Sequence, residues 1–333
     1  MFGRRIRLYL GLSISMVAFA GCGQTAFQIA LVRTHRQLQE TQIQGDRMMF
    51  ITNKIAIIDV DGLLVNKQKR DLMRSGENPV SLFIEKLDKA ARDKSVKAVV
   101  LRINSPGGTV AASDVMYHHL RRFKERTGKP VIACVLGLGC SGAYYLACGC
   151  DGIVAQPSSV TGSIGTILQT FSVAGTMQMI GVKAVTIKSG QLKDMASPLH
   201  DLSDEERDVL QGIIDNFYQQ FLEVVEDGRK TIDKEKLQKL ADGRIFTAEQ
   251  ALQEGLIDRI GYLEDGIEWA KEKAGMQRGR VVIYHRSSAY KPNAYGLAAA
   301  SAEGIGPLIN VELPDWLNTS GAQFLYLWQP SVE

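Results

Sequence analysis

Short apolar runs alternate along the chain with longer segments whose apolar positions recur every three or four residues. Lys54–Val60 (KIAIIDV), Ala98–Ile103 (AVVLRI) and Pro130–Leu136 (PVIACVL) are β-branched runs bounded by turn residues, and each predicts a buried strand. Gly152–Ala155 and Val182–Ile187 (VKAVTI) predict two more. Between the runs, Ser81–Asp93 carries Leu82, Phe83, Leu87, Ala90 and Ala91 at helical spacing, and Val115–Arg126 is amphipathic. Gly142–Cys148 opens a further helix. Beyond Pro198 the pattern turns helical, with Leu210, Ile213, Ile214, Phe217, Phe221 and Val224 striping Ser203–Asp227. Thr247 is an N-cap candidate for a shorter helix ending at Glu254. Strands separated by single helices predict an α/β fold of βαβ units, a mostly parallel sheet flanked by helices.

The two ends depart from this texture. Met1–Arg7 holds Arg4, Arg5 and Arg7 with no acid, and Leu8–Ala20 follows as an uncharged apolar stretch. A basic start, a short apolar run and small residues after it mark a secretory signal. The run falls short of the roughly 20 residues that cross a bilayer as a helix. Phe19-Ala20-Gly21-Cys22 resembles a bacterial lipobox, in which Cys22 is lipidated, although Phe19 stands where Leu or Val is usual. An uncleaved signal-anchor with an incidental cysteine is the alternative. Either way the remainder is expected outside the cytoplasm, in a bacterial cell envelope, next to a membrane. The expected division is a signal segment at 1–22, a polar tether at 23–53 and a catalytic domain at 54–275. A C-terminal strand and flexible tail at 276–333 complete it. The tail ends in an apolar Phe324-Leu325-Tyr326-Leu327-Trp328 that could pack on a neighbour or enter a groove; packing is the expectation.

Charge excludes some functions. Thirty-nine basic against 36 acidic residues give a net charge of +3, without the concentrated basic stripe of a nucleic-acid binder. The five histidines show no metal-ligand spacing such as H-E-x-x-H, so no metal and no zinc peptidase is expected. Cys134, Cys140, Cys148 and Cys150 sit among small and apolar residues and read as buried hydrophobes.

Three glycine-bearing segments follow strand-like runs. Asn104-Ser105-Pro106-Gly107-Gly108 forms a tight turn that leaves backbone N–H groups open to an anion or a developing oxyanion. Gly137-Leu138-Gly139-Cys140-Ser141-Gly142-Ala143 has the form of a nucleophile turn, with Ser141 at a sharp strand-to-helix bend. A plain N-cap role for Ser141 explains the same pattern. Thr161-Gly162-Ser163-Ile164-Gly165 comes third, followed by Ser189-Gly190-Gln191-Leu192-Lys193-Asp194. A hydroxyl nucleophile needs a base, and no histidine is an evident partner. A lysine can serve when burial keeps it neutral, but most lysines are solvated surface residues.

Taken in order, NSPGG, CSGAYY, TGSIG, SGQLKD and ADGRIFTAEQALQEGLIDRIG resemble the signal peptide peptidase A family over about Lys54–Gly266. The resemblance implies a fold shared with Clp-type proteases and crotonases, and catalysis by a Ser–Lys dyad. By position it implies Ser141 as nucleophile, Lys193 as general base and Ser163 as the residue orienting that lysine. It implies Gly108 as an oxyanion-hole donor, with the N–H of Gly142 as the second. Asp114 and Arg244 fall in matching motifs and are assigned structural roles. Two positions depart from the family: Cys140 replaces Ala, and Ala143 replaces Gly, a change that matters if the position needs positive φ. A Cys140 nucleophile is a minor alternative. The resemblance further implies a serine endopeptidase without a cofactor, acting on hydrophobic peptides such as remnant signal peptides. It also implies a ring-shaped homo-oligomer associated with the membrane. A crotonase-like acyl-thioester enzyme and a non-catalytic scaffold remain the competing readings.

Overall fold

The computed structural model describes residues 38–44, 52–67, 70–71, 74–75, 77–286 and 323–328. The signal segment with Cys22, most of the tether, and all of the tail except 323–328 lie outside the described residues. Along the chain come β1 (Gln39–Gln44), β2 (Lys54–Asp61), β3 (Arg70–Asp71), β4 (Arg74–Ser75), α1 (Pro79–Arg92), β5 (Val96–Ser105) and β6 (Gly107–Thr109). Then follow α2 (Val110–Thr127), β7 (Val131–Cys140), α3 (Gly142–Ala147), β8 (Gly152–Ala155), β9 (Val160–Gly162), β10 (Ile167–Leu168) and α4 (Ala174–Met179). The last part holds α5 (Asp204–Gly228), α6 (Lys234–Leu240), β11 (Ile245–Thr247), α7 (Ala248–Glu254), β12 (Arg259–Ile260), α8 (Leu263–Lys273), β13 (Arg280–His285) and β14 (Phe324–Leu327).

Nine strands form the main sheet, in the order β1-β13-β2-β5-β7-β8-β12, with β9 branching from β7 and β11 joined to β9. Every pairing from β13 across to β12 is parallel, as is β7 with β9, whereas β1 and β11 attach antiparallel. Parallel strands buried on both faces read as continuous apolar runs. In β2, Ile55 and Ile57 face one side, against Leu263, Ile267 and Trp269 of α8, while Ala56, Ile58 and Val60 face the other core. That second core is filled by α1, α2, α3 and the C-terminal half of α5. Each fully buried Val, Leu or Ile stabilises the fold by about 1.5–3 kcal/mol relative to exposure.

Helix ends follow from local chemistry. Asn78 caps α1 by accepting from the Val80 and Ser81 amides, and Pro79 at the first turn needs no N–H partner. Ser203 and Glu206 form a capping box on α5, and Thr247 and Gln250 form one on α7, so Thr247 is an N-cap as expected.

Three expectations are corrected. Val182–Ile187 is not a strand: it runs as exposed irregular chain, with Val185 85% and Ile187 97% accessible. Its alternation suits a strand, but no described strand pairs with it. Gln39–Gln44, placed in the tether, is instead an edge strand on β13; with β13 itself it carries the sheet beyond the 54–275 limits. Phe324–Leu327 is not loose tail. It is the central strand of a three-stranded antiparallel sheet, between β6 and β10 of its own chain.

Candidate active site

β5 and β7 end side by side at the carboxyl edge of the sheet, and the loops leaving them build the site. Asn104, at the end of β5, accepts from the Leu138 amide (3.2 Å), which fixes the NSPGG turn against β7. Ser105 Oγ donates to the Gly62 carbonyl (2.6 Å) and accepts from the Gly107 amide (3.1 Å). These bonds hold the turn shut, and β6 then runs out along the surface. One edge of β6 is satisfied locally: Leu64 N–H donates to Gly107 O and Thr109 N–H to Leu64 O, both at 2.9 Å. Gly108 N–H and C=O therefore face the opposite side, toward β14.

β7 stops at Cys140, and the chain reverses through Ser141 into α3. Ser141 has φ 52° and ψ −117°, a strained backbone for a residue with a Cβ. Its amide donates to the Gly162 carbonyl at 2.7 Å, and its own carbonyl accepts from Tyr145 at 2.8 Å. The Oγ caps nothing: it is buried and finds no hydrogen-bond partner among the described residues. The N-cap explanation of Ser141 therefore does not hold. Ala143 is buried in α3 and is not among the non-glycine residues with positive φ, so the Ala-for-Gly change is accommodated. A Cβ on Gly142 would lie 2.2 Å from Ser113 Oγ, so only glycine fits there. Ser113 and Leu64 thus shape the site without any motif that reveals them in the sequence.

Cys140 is the last residue of β7. Its side chain is buried, its Sγ donates to the Val160 carbonyl (3.6 Å), and burial pushes its pKa up to about 12. A thiol held protonated is a poor nucleophile. Burial likewise pushes up Cys134, Cys148 and Cys150.

Ser163 follows β9, which pairs with β7 so that Cys140 lies opposite Gly162. It too has positive φ, 51°, and its amide donates to the Arg244 carbonyl at 2.7 Å. Arg244 itself is exposed and pairs with Asp242. Asp114 accepts from the Tyr145 hydroxyl and from Gln220, both at 3.1 Å, and so braces α3 against α2 and α5.

Lys193 is the predicted residue that the chain does not bring in. It lies on a single 3-10 turn, Gln191–Asp194, with its side chain exposed and no hydrogen bond to Ser141 or Ser163. The surrounding segment, from β10 to the first half of α5, stands out from the core with Met179 and Ile180 also exposed. It is held by internal bonds. Lys188 Nζ donates to Gln191 O (2.7 Å) and to Asp194 (2.6 Å), and Val173 N–H donates to Pro198 O (2.8 Å). Within it Asp194, His200 and Glu206 come close enough to suggest a metal site. The His200 nitrogens, however, lie 2.9 Å from the Asp201 carbonyl and 3.1 Å from the Asp194 carbonyl. Both must donate, so neither lone pair is free for a metal, and the imidazolium is the favoured form.

The arrangement is a buried hydroxyl, unbonded among the described residues, on a strained turn, next to a groove in which an extended strand, β14, is seated against Gly108. Such a site can attack a carbonyl delivered by a peptide in β conformation. Comparison with known proteins agrees. The model of peptidase family S49 matches residues 123–277, and that of Clp protease matches residues 52–161. An inferred signal peptide peptidase, SppA, of Enterococcus faecium is 35% identical over 231 residues, covering 69% of this chain and 67% of the relative. The chloroplast serine protease SPPA of Arabidopsis thaliana is 30% identical over 276 residues, 81% of this chain and 40% of the relative. Protease 4 of Haemophilus influenzae is 32% identical over 234 residues, 70% and 37%. With its Clp-like α/β fold, this chain belongs to peptidase family S49, and it is a serine-type peptidase.

Proposed function

We propose that the protein is an endopeptidase in which Ser141 is the nucleophile and Lys193 the general base, the two being supplied by neighbouring copies of the chain. The observation that carries the reading is the Ser141 hydroxyl, buried and left without a partner among the described residues on the strained turn that leads through Gly142 into α3. Ser141 attacks the peptide carbonyl as its proton passes to the Lys193 amine. The Gly108 and Gly142 N–H groups hold the oxyanion, and the protonated lysine then delivers its proton to the leaving amine. Water, deprotonated by the same lysine, releases the acyl group and restores the serine. Ser163 orients the lysine once it has docked.

Support for a second copy comes from the arm that carries Lys193. Its apolar side chains at Met179, Ile180, Val185 and Ile187 are 70–97% accessible, a cost in water that a partner surface removes. A head-to-tail contact in which each arm reaches the next subunit closes into a ring. Substrates are hydrophobic peptides, in keeping with the signal peptide peptidase name of the Enterococcus relative. The Arg-rich, apolar start ending at Cys22 supports a membrane-tethered enzyme in the cell envelope, with its catalytic domain outside the cytoplasm. Among the described residues no helix is long and apolar enough to cross a membrane. Cleavage of a fluorogenic hydrophobic peptide tests the dyad: Ser141→Ala and Lys193→Ala should each abolish turnover while assembly, read by light scattering, is unchanged. Wild-type rates in Lys193→Ala would refute it.

A further inference from the structure

β9 bonds three successive residues of the turn that carries Ser141. The Thr161 hydroxyl donates to the Gly139 carbonyl at 2.6 Å. The Cys140 thiol donates to the Val160 carbonyl, and the Ser141 amide donates to the Gly162 carbonyl at 2.7 Å. The thiol is a weak donor at 3.6 Å, and the amide bond prolongs the parallel pairing of the two strands. Thr161 alone of the three makes a short bond through its side chain. It is fully buried and stands opposite Gly139 in the register.

Gly139 is where the turn needs such a hold. It has no side chain to fix its peptide plane, and none fits: a Cβ there would lie 2.7 Å from Val135 Cγ2. β7 is irregular just before it. Ile103 and Ser105 of β5 pair with Val135 and Gly139, so β7 carries extra residues across that step. A glycine after an irregular stretch leaves the direction of the following residues open. Ser141 must nevertheless adopt φ 52° and ψ −117°, a backbone that persists only where its surroundings enforce it. On the α3 side the Tyr145 amide holds the Ser141 carbonyl at 2.8 Å. On the β7 side the hold is the Thr161 hydroxyl.

We propose that Thr161 is a positioning residue for the nucleophile: its hydroxyl fixes the Gly139 peptide and, through it, the direction in which the Ser141 side chain leaves the turn. The inference rests on the reading of Ser141 as nucleophile. Ser159 supplies an internal control. Its hydroxyl is equally buried and donates to the same strand, at the Val135 carbonyl (3.0 Å), but upstream of the irregular stretch. Both hydroxyls contribute to stability by tying β7 to the segment beside it. Only that of Thr161 acts next to the turn.

The test compares peptide hydrolysis, fluorophosphonate labelling and Tm in full-length Thr161→Val, Thr161→Ala, Thr161→Ser and Ser159→Ala. The fluorophosphonate reports attack by the serine itself, because Oγ displaces fluoride from phosphorus. Valine keeps the bulk of threonine without its hydroxyl, alanine loses both, and serine keeps the hydroxyl. Thr161→Val and Thr161→Ala should lower kcat and the labelling rate together, by about tenfold to a hundredfold, with KM unchanged. Thr161→Ser should retain near-wild-type kcat, and Ser159→Ala should lower Tm while keeping kcat. Wild-type kcat in a folded Thr161→Val or Thr161→Ala, or an equal loss in Ser159→Ala, would overturn the inference. Should neither hydroxyl-free variant fold, Thr161→Ser decides: near-wild-type kcat supports the hydroxyl's role, and a loss of about tenfold overturns it. Hydrolysis or labelling that survives Ser141→Ala would count instead against Ser141 as the nucleophile.

Discussion

Ser141 and Ser163 leave adjacent parallel strands at the same level, joined by the 2.7 Å bond from the Ser141 amide to the Gly162 carbonyl, and both adopt positive φ. Positive φ in a residue with a Cβ costs on the order of 1–3 kcal/mol and persists only where surrounding structure enforces it. Two such serines stand side by side where β7 and β9 end. On this account Ser163 positions the lysine. Ser163→Ala should lower kcat roughly tenfold to a hundredfold with KM little changed, less than the roughly 10²–10⁴-fold expected from losing the base itself. Full kcat in Ser163→Ala would remove that serine from the mechanism.

The Gly108 position tolerates no side chain. A Cβ there would lie 1.9 Å from the Leu64 carbonyl oxygen, so Gly108→Ala must push β6 away from Leu64 and from the groove. Loss of one oxyanion donor is expected to cost about 10²–10³-fold in kcat. Leu64 pairs with β6 through two backbone bonds, so Tm should fall as well. Kinetics and thermal unfolding on the same preparation read both effects.

Tyr326 fills the groove that a substrate needs. Tyr326→Ala should therefore lower KM for short peptides several-fold while leaving kcat unchanged, because the competitor lies within the same chain. An unchanged KM would mean that the strand leaves the groove too readily to compete.

Cys140 stands beside the nucleophile but is chemically silent. With its pKa near 12, only about one molecule in 10⁴ carries a thiolate at pH 8. Iodoacetamide at pH 8 should leave activity intact, and Cys140→Ala should retain near-wild-type kcat. Inactivation by the alkylating agent that disappears in Cys140→Ala would revive the thiol alternative.

His200 ties down the arm that bears Lys193. Hydrogen bonds to the Asp201 and Asp194 carbonyls, with Glu206 and Asp194 nearby, raise its pKa above the usual imidazole value. A folded pKa above the unfolded one means that the contribution is complete below about pH 6.5 and is lost as pH rises through the folded value. Assembly monitored across this range should weaken on the alkaline side in the wild type. The same titration should be flatter in His200→Gln, and chelators should leave activity unchanged.

Much of this architecture was legible in the chain. The apolar runs of β2, β5 and β7 are buried on both faces and needed no knowledge of their partners. Thr247 declared its helix through the Gln250 box. What could not be read locally depended on pairing across long separations. Gln39–Gln44 is polar because one face of an edge strand meets water, and it finds β13 some 240 residues later. Val182–Ile187 carries a strand pattern on a segment that leaves the core. Phe324-Leu325-Tyr326-Leu327 read as a greasy end, since only the gap between β6 and β10 gives it meaning. At the site, the order of motifs singled out Ser141, Gly108, Gly142 and Ser163 as candidates, and the fold brings the segments that carry them to one edge of the sheet. It could not reveal that Lys193 is carried away from them.

The central claim is that Ser141 of one subunit is served by Lys193 of the next, and co-assembly of two inactive variants tests it most directly. Ser141→Ala and Lys193→Ala subunits are unfolded together, mixed in equal amounts and reassembled. If each site draws its serine and its lysine from different subunits of a head-to-tail ring, about a quarter of the sites become complete and activity returns to that level. Mixed assemblies that form normally but cleave nothing would contradict the account.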